Sequence, residues 1–235
     1  MLLSVNIDQA GYDADAHVLK DIHFAVDPGE WVGLIGPNGA GKSTTIKSIL
    51  GVMKNVKGNC TVADYAYIPE RPILYERMTL WEYIEFLFCT LDRDQASYME
   101  RANLLLDRFQ LSQVIHQYPE SFSKGMQQKV MLVLAFLKQE KLYIVDEPFM
   151  GLDPRAVKRL LQSLQQEKEK GAGILMSTHV LDTAEKICDR FILISQGNLI
   201  FQGTLAEIRE QSGLADGSLL DCFDVLTEDE SDVRE

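Results

Sequence analysis

Apolar and polar residues alternate through Leu3, Val5 and Ile7, and again through Ile22, Phe24 and Val26, a period of two that predicts antiparallel strands. Turn chemistry follows at Asp27-Pro28-Gly29. Trp31, Val32, Leu34 and Ile35 predict a buried strand, and Lys42 to Leu50 a helix closed by Gly51. From Met78 to Gln139 the period lengthens. Apolar residues recur at three- and four-residue steps through Leu80, Ile84 and Leu87, then Leu104, Leu105 and Phe109, which predicts a helical insert. Leu142 to Val145, Ile174 to Met176 and Phe191 to Ile194 predict short buried strands, separated by helices at Arg155 to Lys170 and Val180 to Ile187. Strand and helix in alternation imply a parallel sheet, so the expected class is α/β, with an antiparallel segment at the N-terminus and an inserted helical segment.

A chain of 235 residues with 46% hydrophobic content can bury one substantial core, which favours one domain with lobes. The longest apolar run, Val130 to Leu137, has eight residues, far below the roughly twenty needed to cross a bilayer. Met1 to Asp8 lacks the basic start and apolar stretch of a secretory signal, so a cytoplasmic location is expected. Cys60, Cys89, Cys188 and Cys222 have no paired spacing and are expected to be reduced, buried thiols. The net charge is −12, and residues 216–235 hold eight acids against Arg234, so more than half of the acidity is a tail. Such a chain offers no general field for nucleic acid, which weighs against a role as a DNA- or RNA-coating protein.

Gly36-Pro37-Asn38-Gly39-Ala40-Gly41-Lys42-Ser43-Thr44 places two glycines ahead of Lys and Ser at P-loop spacing, between the predicted strand and helix. The glycines let backbone N–H groups form a concave anion nest, Lys42 supplies a point charge and Ser43 offers a hydroxyl to Mg²⁺. A helix N-terminus at the same place favours phosphate. A Gly-rich turn that only joins strand to helix would need these positions to coincide by chance. The pattern points to an α/β nucleotide-binding protein; it resembles the P-loop NTPases, and that resemblance implies a RecA-like parallel sheet core.

Leu142 to Val145 leads into Asp146-Glu147, and a parallel strand delivers its last residues to the ligand crevice. Asp146 is placed to hold Mg²⁺ through water, and Glu147 to orient or deprotonate the water that attacks a γ-phosphate. Ser123 is a natural N-cap for the apolar helix after it, and the bare backbone at Gly125 suits a second phosphate-binding surface; the two uses are compatible.

With these motifs in order, the chain resembles the ATP-binding subunits of ATP-binding cassette (ABC) transporters over nearly its whole length. Phe122 to Lys129 resembles the family signature, usually Leu-Ser-Gly-Gly-Gln; Asp146-Glu147-Pro148 the Walker B segment; Gly151-Leu152-Asp153 the D-loop; Ser177-Thr178-His179 the switch histidine. Tyr12 matches the aromatic on which the family stacks adenine, although alone it could simply cover a sheet edge. The resemblance implies ATP and Mg²⁺ as ligands and a head-to-tail pair, made with a second copy or a homologous ATPase subunit. ATP on Lys42 of one subunit is then closed by Ser123 and Gly125 of the other, and Asp153 belongs to the dimer contact. It also implies a separate transmembrane permease as partner, with membrane contact only through that permease at the inner face. A soluble ABC-type ATPase acting on translation or nucleic acid is the alternative function; it would carry two cassettes or a coiled-coil insert.

Within the resemblance, residues 1–71 and 140–215 form the ATP-binding core with an antiparallel β subdomain, 72–139 the helical subdomain with the signature, and 216–235 an acidic helix and tail. Glu70 falls where the family usually carries a glutamine that touches Mg²⁺ and the attacking water. A carboxylate there could ligate the metal or slow hydrolysis by repelling phosphate oxygens, and both readings stay open. Lys124 replaces the first signature glycine, while Gly125 is retained. The stretch between Gly51 and Tyr67 is short for the family and suggests trimmed strands. Pro72 to Leu91 is rich in aromatics, read first as core and second as anchors for a permease helix. The Tyr67-Ile68-Pro69-Glu70 loop, the signature and a closing helix at Leu219 to Thr227 are similar to the Ecs-type ATPase subunits.

Overall fold

The structure, a computed structural model, describes residues 1–12 and 17–232. The period-two segments become β1 (Leu3–Gly11) and β2 (His17–Val26), which pair antiparallel with Leu3 opposite Val26 and Ile7 opposite Ile22. β4 (Asn55–Val62) covers the other edge of β1. Five neighbouring parallel strands, with β5 at the edge, make the larger part of the sheet: β3 (Trp31–Ile35), β5 (Tyr65–Ile68), β6 (Leu142–Asp146), β7 (Gly173–Thr178) and β8 (Arg190–Ser195). β9 (Asn198–Gly203) runs antiparallel to β8 and meets β2 at a single parallel pair, Lys20 with Asn198. The antiparallel strands are therefore one end of a continuous nine-stranded sheet, in the order β4-β1-β2-β9-β8-β3-β7-β6-β5.

Every residue of β3, β6 and β7 is buried, as a sheet covered on both faces requires. Alternate residues of β6 serve different cores: Tyr143 and Val145 pack with the helical insert, while Leu142 and Ile144 pack with α1 (Lys42–Ile49) and the N-terminal strands. The insert holds α2 (Leu80–Thr90), α3 (Gln95–Phe109) and α4 (Lys124–Lys138), with two short 3₁₀ turns between α3 and α4. Its helices start where the sequence supplies caps: a Thr79/Glu82 capping box, Asp94 and Ser123. Arg101 ties it to α5 (Pro154–Glu169), donating to Phe136 O at 3.0 Å and to Glu167 Oε1 at 2.8 Å.

A third core joins Ile35, Phe191 and Leu193 to α6 (Leu181–Ile187), α7 (Leu205–Ser212) and α8 (Leu219–Asp232). α8 runs five residues past the expected end at Thr227, and residues 233–235 of the expected tail lie outside the described residues. One cysteine corrects the expectation of buried thiols. Cys222 is buried and Cys60 and Cys188 are half-buried, but Cys89 is exposed, because it sits near the end of α2 on the side opposite Leu80, Tyr83 and Ile84.

Candidate functional site

β3 ends at Ile35 and α1 begins at Lys42, so residues 36–41 must reverse direction within six residues. Gly41 adopts φ +111°, and a Cβ there would meet Leu19 Cδ2 at 2.5 Å, so both conformation and space demand glycine. The loop wraps Lys42, whose buried ammonium donates to Gly36 O at 2.7 Å and to Pro37 O at 3.2 Å. Thr45 Oγ1 donates back to Gly41 O at 3.0 Å and fixes the first turn of α1.

β6 and β7 are paired so that Asp146 stands opposite Ser177, and this register builds the acidic side of the site. Ser177 Oγ donates to Asp146 Oδ1 at 2.5 Å and accepts from Glu147 N at 3.1 Å. Burial pushes the Asp146 carboxyl above its ordinary range; Ser177 and Ser43 hydroxyls oppose the rise, and the charges of Glu147 and Glu70 add to it. Glu147 turns off the strand with φ +43°, a left-handed conformation that costs a side chain about 1–3 kcal/mol. That turn aims its carboxylate at two partners. Oε1 lies 3.3 Å from Lys42 Nζ, at ion-pair distance but without hydrogen-bond geometry, and Oε2 lies 2.8 Å from His179 Nδ1.

Lys42, Glu147 and His179 line a cleft of about 500 Å³; the buried Asp146 and Ser177 support its acidic side without lining it. Pro37, Asn38, Gly39, Gly41, Lys42, Ser43 and Thr44 form its floor, with Glu70, Glu147 and His179 on the walls and Tyr12 at the margin. Gly36 and Ala40 are packed inside the loop, where a Gly36 Cβ would meet Ile194 O at 2.3 Å. Tyr12 is 57% exposed; Lys47 Nζ lies 5.4 Å from its ring centroid and donates to its hydroxyl at 3.4 Å. Thr44 foremost draws its phenol below the usual range, with Lys47 adding to it, against the opposing effect of burial.

Ser123, Gly125 and Asp153 do not line this cleft. They gather elsewhere in the chain. Ser123 caps α4 by accepting from Met126 N, and a Cβ on Gly125 would meet Gly151 O at 2.5 Å. Lys129 Nζ sits 2.8 Å from Asp153 Oδ2, while Asp153 Oδ1 caps α5 by accepting from Ala156 N at 2.9 Å. The Lys129 hydrogen bond, with that cap, lowers the Asp153 carboxyl to about 2.

Three participants were not foreseen. Val18 and the exposed Met150 line the cleft, and neither carries a sequence signal beyond lying near a motif. Ser177 orients the Asp146 carboxylate and holds the backbone N–H of Glu147, and aligning the ends of the two predicted strands would have found it.

Residues 19–150 match the ABC transporter family. The chain belongs to this family. It is 52% identical over 224 residues to the uncharacterised ABC transporter ATP-binding protein YthP of Bacillus subtilis (strain 168), an alignment that covers 94% of this chain and 95% of YthP. It is 42% identical to the ABC-type transporter ATP-binding protein EcsA of the same organism, covering 98% of each chain, in line with the Ecs-type resemblance. A solved structure of an ATP-binding subunit of an ABC transporter superposes with a TM-score of 0.92 at 45% identity, covering 97% of this chain and 100% of that one. As an ABC transporter subunit the protein binds and hydrolyses ATP to energise transport, and the alternative of an ATPase working on translation or nucleic acid is not favoured.

Proposed function

We propose that the cleft takes ATP with Mg²⁺, Tyr12 stacking on adenine and residues 36–44 holding the phosphates. The observation that carries this reading is the meeting of Lys42, Glu147 and His179 from three different elements on one cleft. Ser43 and Asp146 offer hard oxygen donors side by side, a set that fits Mg²⁺, with Glu70 a third acid on the wall. Bound there, the ion would spread the charge of the terminal phosphates. Glu147 orients the attacking water and accepts its proton, and His179 holds the γ-phosphate by a hydrogen bond.

Because Ser123, Gly125 and Asp153 stand away from the cleft of their own chain, their use requires a second subunit, a copy or a homologue, placed head to tail. The γ-phosphate then joins two surfaces and its loss frees them. Among the described residues no helix is long and apolar enough to cross a membrane, which fits a separate permease and a peripheral position on the inner face of the membrane. Leu80, Tyr83 and Ile84 fill the core of the aromatic segment, while the exposed Ile73, Tyr75 and Phe86 remain for that permease. Nucleic acid has no part in this reading.

Complementation between two variants tests the pairing. Lys42→Ala lacks a phosphate grip and Ser123→Arg blocks closure, so neither should dimerise alone with a non-hydrolysable ATP analogue. Mixed, they contain one intact composite site and should form analogue-dependent dimers in light scattering. A mixture that stays monomeric while the unmodified protein dimerises would remove the head-to-tail arrangement.

A further inference from the structure

Glu70 follows Pro69 just past the end of β5 and lines the same cleft as Lys42 and Glu147. The neighbouring acids have partners inside the site: Glu147 faces Lys42 and His179, and Asp146 accepts a hydrogen bond from Ser177. Among the described residues Glu70 has no such partner. Among the described residues its one cation within ion-pair distance is Arg71, at 3.8 Å, whose side chain is 90% exposed. A pair so solvated offsets little charge. Nor is the loop loose, since Gln128, buried in α4, donates through Nε2 to Pro69 O at 3.0 Å and anchors the backbone beside Glu70. The cleft thus carries, on an anchored backbone, a part-exposed carboxylate with no strong counter-charge, next to a loop built for phosphate.

We infer that Glu70 is a specificity-determining residue: its uncompensated carboxylate disfavours a free polyphosphate and admits nucleotide accompanied by a divalent cation. The inference rests on the nucleotide reading of the cleft. Like charges at the range of one binding site interact appreciably at the effective dielectric of a protein surface, and a cation between them turns repulsion into attraction. Whether Glu70 touches the cation or only repels bare phosphate, the consequence is the same: removing the metal weakens binding more when Glu70 is charged. Salt screens the effect, so it is compared at fixed ionic strength.

The test measures calorimetric affinity of the whole protein for the β,γ-imido analogue of ATP, once with Mg²⁺ and once with EDTA. Three proteins are compared: the unmodified chain, Glu70→Gln, and Glu76→Gln, a change at an exposed acid outside the cleft. The loss of affinity on removing Mg²⁺ is expected to shrink about tenfold in Glu70→Gln and to stay unchanged in Glu76→Gln. Equal losses in the unmodified protein and Glu70→Gln would overturn the inference while leaving the nucleotide site in place. An unmodified protein that binds the analogue in neither condition would overturn the nucleotide reading, and the inference with it.

Discussion

His179 Nδ1 lies 2.8 Å from Glu147 Oε2, so the residues that follow two adjacent parallel strands meet over the cleft. With the carboxylate accepting, the shared proton belongs to Nδ1, and the imidazole is held in one orientation toward the phosphate loop. The same carboxylate reaches Lys42 Nζ at 3.3 Å through its other oxygen, so it spans the histidine and the phosphate loop.

Replacing Glu147 with Gln keeps shape and removes the base. Turnover is expected to fall by about a hundredfold or more while ATP is still bound, and the nucleotide-loaded protein should persist as a dimer. Phosphate release, retained nucleotide and sedimentation measured together check this. Normal hydrolysis by Glu147→Gln would take the base role away from this residue.

Lys42→Ala removes the ammonium that the loop encloses with two carbonyls. Hydrogen bonds to charged groups contribute about 1.5–3 kcal/mol, so ATP affinity is expected to drop roughly ten- to a hundredfold. An unchanged dissociation constant for ATP would contradict the phosphate cradle.

How far the sequence discloses this arrangement depends on whether a feature is local. The loop from Gly36 to Thr44 and the strand that ends in Asp146 announce themselves, because glycine spacing and an apolar run closed by acids are read within ten residues. β5 and β9 did not, since each is short and half-buried and takes its conformation from a neighbour, β5 from β6 and β9 from β8; α7, by contrast, carries local signals in the Thr204/Glu207 capping box and the Gly213 C-cap. The meeting of Ser177 with Asp146 needs strand register, and the contact of Gly125 with Gly151 needs two loops to pack. Such pairings lie on the tertiary level, where residue type alone carries little information.

That loop contact yields a further expectation. In Gly125→Ala the new methyl would fall 2.5 Å from Gly151 O, so the turn from Gly151 to Asp153 must shift and the Lys129–Asp153 pair with it. These residues stand outside the chain's own cleft, so ATP affinity of the monomer should hold within about twofold, while turnover at saturating ATP falls about tenfold or more. A variant with weakened nucleotide binding and intact turnover would show that Gly125 serves the chain's own cleft instead.

The joint between the helical insert and the sheet should reveal itself through pH. Glu167 on α5 is nearly buried, with Arg101 Nη2 at 2.8 Å and Lys170 Nζ at 3.0 Å. Burial alone would raise its carboxyl, but the two cations outweigh that and hold it below the ordinary range. A carboxyl depressed on folding contributes stability that is present above its unfolded pKa and is lost as pH falls through the folded value. Arg101→Met leaves the buried carboxylate with only the exposed Lys170, and breaking a buried pair in this way costs about 3 kcal/mol, or roughly 6–12 °C in melting temperature at neutral pH. Without Arg101, burial dominates and protonation relieves the variant, so its deficit should narrow as pH is lowered from about 7 to about 4. Thermal melts of both proteins across that range check the sign. A deficit that stays constant with pH would mean that Arg101 acts through its packing on Phe136 O and not through the charge of Glu167.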